Sequence, residues 1–237
     1  MKIRSRRAVL PFPALGRPTG LATSCSRLCS RSYLIALACA LMVASAGASA
    51  AGVAVQVSDA SGKPLADVVL YIEGVAGAAA PGGGKDASIE QRGLKFVPTV
   101  SVVQTGTKVA FPNADRVKHH IYSFSPAKKF DQKLYSGVAA APQVFDKAGT
   151  VVLGCNIHDR MVAYIKVVDT PYFARTDSAG VARIELPAAG KYTVSAWHPN
   201  MVGATAEQSA QVKAGDAPTA LAFKLSMKPS GVDDPGQ

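Results

Sequence analysis

An all-β protein built from sandwiches is what this sequence predicts, and three observations carry that prediction. No stretch beyond residue 50 keeps a helical period in its apolar residues, short runs rich in Val, Ile, Tyr and Phe recur, and Gly- or Pro-bearing turns separate them. Without its first fifty residues the chain of about 187 residues has room for one large β domain or two small ones.

The segments follow in order. Residues 1–50 hold seven basic and no acidic residues, then an apolar run over 33–45 and the small-residue stretch Ala48-Ser49-Ala50. That order reads as a secretory signal cut after Ala50, with a periplasmic destination. The apolar run of ~13 residues falls short of the ~20 that a membrane helix needs, so no stable membrane insertion is expected after cleavage. The full chain carries a formal charge of +10, and the seven cations of this segment account for most of it, leaving +3. Nucleic acid is therefore not expected as a partner, since a phosphate footprint needs clustered Lys and Arg on the folded part.

Residues 51–73 hold two strand runs, 53–57 and 68–72, separated by Ser61-Gly62-Lys63-Pro64. Gly, Ala and Pro dominate 74–86, which reads as a flexible connector. Strand runs recur at 108–111, 120–124, 151–153 and 162–167, punctuated by Thr105-Gly106 and Ala148-Gly149, while Lys128 and Lys129 read as a solvated turn. Residues 169–228 contain further turns at Ser178-Ala179-Gly180 and Ala189-Gly190, and 229–237 read as a loose tail.

Cysteine usage points to chemistry. Cys25, Cys29 and Cys39 leave with the signal, and Cys155 remains alone. An exported protein normally pairs its cysteines, so a leftover thiol is reactive, intermolecular or ligated. Cys155, His158 and Met161 share one short run, and His119-His120 lies upstream between two strand runs. A thiolate, two imidazoles and a distant thioether are the donor set of a mononuclear blue-copper centre, and the soft sulfurs favour copper over harder ions. Successive strand residues face opposite sides, so one of His119 and His120 is expected to reach the metal. Asp159 and Arg160 read either as an exposed turn with a local ion pair of little worth or as rim charges that steer a partner. His198, a lone histidine, reads as structural.

The chain has four histidines, too few for the additional copper centre of an oxidase or a nitrite reductase. It also lacks a Ser-His-Asp arrangement, a P-loop and a dinucleotide fingerprint, so no enzyme is expected. One-electron transfer through copper is the leading expectation. Copper handling without redox turnover, or a structural β protein with a vestigial site, are the alternatives.

Residues 87–168 resemble the cupredoxin family, the fold of plastocyanin and amicyanin. The resemblance is carried by residues 94–98, by Gly106-Thr107-Lys108-Val109-Ala110-Phe111-Pro112-Asn113, by His119 and by residues 149–161. It implies a Greek-key β-sandwich holding copper through His119, six residues after Asn113, and through Cys155, His158 and Met161. It also implies supporting roles for Asn113 and for His120, which stands where the relatives place an Asn that braces the ligand loop. A redox partner, a cytochrome or a dehydrogenase, would dock near His158. The chain beyond the signal looks like exported cupredoxin-containing proteins often labelled methylamine utilisation proteins, a label that establishes no such role.

The flanks resemble a different module. Residues 55–72, with Asp59-Ala60-Ser61-Gly62-Lys63-Pro64-Leu65 at the turn, and the later runs 176–180, 184–187 and 190–194 look like parts of a carboxypeptidase-regulatory-like or transthyretin-like sandwich. Neither part alone has strands enough to bury a core, which implies one sandwich split around the cupredoxin. Serial packing of an N-terminal hairpin, a cupredoxin and a C-terminal sandwich is the other arrangement these residues allow.

Overall fold

The computed structural model describes residues 52–75, 86–136, 141–202, 207–215 and 218–228. The segments expected to be a signal (1–50) and a loose tail (229–237), and residues 76–85 of the expected connector, lie outside the described residues. Among the described residues the elements are β1 (Gly52–Asp59), β2 (Val69–Glu73), β3 (Ala87–Ser88), β4 (Glu90–Arg92), β5 (Lys95–Val97), β6 (Val100–Gln104), β7 (Thr107–Ala110), β8 (His119–Ser125) and β9 (Lys128–Tyr135). They continue with β10 (Gln143–Phe145), β11 (Gly149–Gly154), β12 (Val162–Val168), β13 (Phe173–Arg175), β14 (Val181–Glu185), β15 (Gly190–Trp197), β16 (Gln208–Ala214) and β17 (Thr219–Leu225). The protein is all-β, and no helix among these residues is long and apolar enough to cross a membrane.

The first two strands belong with the last five. β1 runs antiparallel to β14 on one side and parallel to β17 on the other, with Val55 opposite Ala182 and Leu221. β2 lies in a separate sheet between β13 and β15, with β16 beyond. The two strands are therefore not a paired hairpin, because each completes a different layer. Alternation places Val53, Val55 and Val57 inside and Gln56 outside, and these valines share a core with Leu70, Ile72, Ile184, Val194 and Phe223.

Between β2 and β13 the chain builds a second pair of layers. A five-stranded sheet in the order β6-β12-β11-β8-β9 faces the β10-β7-β3 sheet and the β4-β5 hairpin across a core that includes Phe96, Phe111, Ile121, Phe145, Leu153 and Ile165. Lys128 and Lys129, expected in a solvated turn, instead open β9 opposite Ser125 and Phe124. β9 is the sheet's outer strand, and charged side chains are a common protection on such an edge.

The two sandwiches meet at a small apolar cluster of Val69, Val100 and Trp197, with Tyr71, Val102 and Tyr164 against it. Lys166 is buried there, its Nζ 5.5 Å from the Tyr71 ring centre and 5.6 Å from that of Trp197. Its ammonium pairs with Glu207, which also accepts the Tyr71 hydroxyl, so the buried charge is compensated.

Candidate metal centre

β11 delivers Cys155 at its end, where the chain leaves the sheet. The turn then folds back on itself: Cys155 N–H donates to Met161 O at 3.1 Å, and Met161 N–H donates to His158 O at 2.9 Å. Those two bonds bring residues 155, 158 and 161 to the same end of the sandwich. Cys155 and Met161 are both buried in its core, whereas His158 is half-buried at the loop tip. His119 opens β8 and is fully buried.

Three donor atoms converge. His119 Nδ1 lies 3.2 Å from His158 Nδ1, and Cys155 Sγ lies 3.9 Å from the first and 3.5 Å from the second. A triangle with those sides has a point in its plane about 2.1 Å from every corner. For a first-row divalent ion such as zinc, bonds of ~2.0–2.1 Å to imidazole nitrogen and ~2.3 Å to thiolate sulfur come close to that separation. The donor set and its spacing thus fit one small metal ion, and two nitrogens with a thiolate suit copper among the soft-ligand metals.

Asp115 had no role in the sequence reading, yet it touches the centre directly. Its Oδ2 lies 2.9 Å from His119 Nε2, while Gly93 N–H donates to Oδ1 at 2.7 Å and Leu94 N–H to Oδ2 at 3.0 Å. Burial by itself would raise its pKa, but the Leu94 and Gly93 amides and the His119 ring outweigh that and hold the carboxyl below its ordinary value. The only sequence signal was an acidic residue four positions before a histidine, which in a loop carries no periodic meaning.

Asn113 supports the same loop. Its Nδ2 donates to Val117 O at 2.9 Å and to Tyr135 O at 3.1 Å, and its Oδ1 accepts Asp115 N–H at 2.9 Å. His120 departs from the expected brace of the ligand loop. Its Nε2 pairs with Asp131 on β9, its Nδ1 is buried without a partner, and its ring lies 5.8 Å from that of Tyr122 on the outward face. Strand alternation explains the outcome, since a residue beside an inward His119 must point away from it. Tyr122 itself lies over Gly154, where an added Cβ would come 2.8 Å from the ring, so glycine lets an aromatic ring cover the strand end beside Cys155.

Asp159 and Arg160 are exposed and form no ion pair with each other. His198 sits in the flanking sandwich, its Nδ1 accepting Asn200 N–H at 3.1 Å.

No protein-family model and no curated protein matches the chain. Solved cupredoxin structures do. A purple cupredoxin from Nitrosopumilus maritimus is 24% identical with a TM-score of 0.32, over 35% of this chain and 99% of that one. An amicyanin variant is 18% identical with a TM-score of 0.32, over 41% and 97%. The Cu-containing nitrite reductase of Thermus scotoductus SA-01 is 24% identical with a TM-score of 0.33, over 35% of this chain, which spans only 22% of the reductase.

Proposed function

We propose that this chain is an exported type 1 copper protein of the cupredoxin kind, which carries single electrons between redox partners in the periplasm and is not itself an enzyme. The convergence of His119 Nδ1, His158 Nδ1 and Cys155 Sγ carries this reading. Copper, when bound, supplies a reversible one-electron exchange between its two oxidation states. Cys155 would hold the ion through its thiolate, His119 and His158 through their Nδ1 atoms, and Met161 would offer its thioether as a weak fourth donor.

His158 is the exit to a partner such as a cytochrome or a dehydrogenase. Exposed Leu94, Val117 and Ile157 stand on the three turns that carry or hold the two histidines, and Asp159 and Arg160 lie on the rim. Apolar contact there shortens the path to the ring edge, and the rim charges steer encounter.

Full-length exported protein loaded with Cu(II) tests the proposal: an intense visible band that bleaches and returns on one-electron reduction and reoxidation is expected. A colourless complex that yields copper readily to a chelator would replace electron transfer with copper handling. Met161→Leu should keep the colour and raise the reduction potential, because losing a weak thioether donor would destabilise Cu(II) more than Cu(I). An unchanged potential in voltammetry would leave Met161 as core packing alone. His119→Ala should cost most of the copper affinity, whereas His120→Ala, which removes only the outward pair with Asp131, should leave a coloured site. Titration of both variants with Cu(II) reads the ranking, and the opposite order would reverse the assignment.

A further inference from the structure

The β4–β5 hairpin is strained at its tip. Gly93 and Leu94 both adopt positive φ, 61° and 60°. A two-residue hairpin turn of this hand requires that, but Asn and Gly are its usual occupants, and a leucine there is strained. Strain of this sort persists where surrounding contacts impose it. Here the contact is one carboxylate: the two amides of the strained turn both donate to Asp115, whose own N–H is held by Asn113.

The other side of that carboxylate meets His119. A carboxylate accepts hydrogen bonds and cannot donate, so the 2.9 Å contact places the ring proton on Nε2 and leaves the Nδ1 lone pair facing Cys155 and His158. We propose that Asp115, moored by the Gly93–Leu94 turn, is the positioning residue of the centre, fixing the tautomer and orientation of His119 before any metal arrives. The inference rests on the proposed copper site for its purpose, though not for its geometry. A carboxylate behind a ligating imidazole also makes the ring a stronger donor, which favours the more highly charged ion.

Nitrogen-15 NMR of the metal-free, full-length exported protein reads the tautomer directly. His119 is expected as the Nε2–H form, and Asp115→Asn, whose side chain offers a donor as well as an acceptor, should mix the two forms. The same variant should bind Cu(II) ~10- to 100-fold more weakly, with a raised reduction potential. Leu94→Gly keeps both amides and removes the φ penalty, so it should retain the wild-type tautomer and affinity while melting no lower. A wild-type His119 protonated on Nδ1 overturns the proposal whatever the variants do. So does an Asp115→Asn protein that keeps tautomer, affinity and potential. A wild-type protein with the Nε2–H form, lost in Asp115→Asn, but with no coloured copper complex would sustain the positioning role and sink the electron-transfer reading instead.

Discussion

Cys155→Ala is expected to abolish the coloured copper complex while the β-sandwich persists. In the proposed centre the thiolate would supply the charge-transfer bond, it is one of the three converging donors, and no second thiol stands near to replace it: Cys155 is the only free cysteine among the described residues. Its contribution to packing is small by comparison. The side chain is buried beside Met161 in a core of fifteen buried residues, and a change of this size costs about 1 kcal/mol. The measurement is a pair of spectra, visible absorption after Cu(II) loading and far-ultraviolet circular dichroism of the same sample. Persistence of the band in the variant would remove Cys155 from the centre.

Deleting residues 52–73 is expected to unfold the C-terminal strands and to leave the copper chemistry largely in place. β1 is the middle strand of its sheet and β2 an inner strand of the other, so the deletion separates β14 from β17 and β13 from β15. It also removes Val53, Val55, Val57, Val68, Leu70 and Ile72, all at most 1% exposed. At roughly 1.5–3 kcal/mol for each buried aliphatic side chain, the loss is of order 10 kcal/mol, comparable to the stability of a whole domain. Residues 169–228 should then be cleaved under mild proteolysis that spares the intact protein. The donor atoms all lie between residues 115 and 161, in the other core, so Cu(II) should still give its band, with a lower melting temperature from the lost Val69–Val100–Trp197 contact. Continued protection of the C-terminal strands would mean that they hold a core without β1 and β2.

The arrangement of donors was legible early because it is local. Cys155, His158 and Met161 stand three residues apart, a spacing that a single tight turn converts into proximity, and the turn's two backbone bonds do that. His119 required more, since its neighbour is also a histidine and either could face inward. Its inward face follows from the register of β8 against β9, where the pairing shifts between His119 and Ile121. Asp115 was illegible altogether, because its importance comes from amides at Gly93 and Leu94 more than twenty residues upstream.

Alternation of apolar residues, punctuated by Gly and Pro, determined an all-β protein from the chain alone, since the two-residue period of a strand is written in neighbouring positions. A lone cysteine beyond residue 50, with His and Met at short spacing, likewise pointed toward a soft-metal centre. Which strands share a sheet was settled only by the tertiary structure: Val55 meets Ala182 and Leu221, partners over a hundred residues away that no local pattern specifies. The same holds for the carboxylate behind His119 and for the outward turn of His120. Those outcomes depend on burial and hydrogen bonding among distant segments, and such pairings exist only once the layers have closed on their cores.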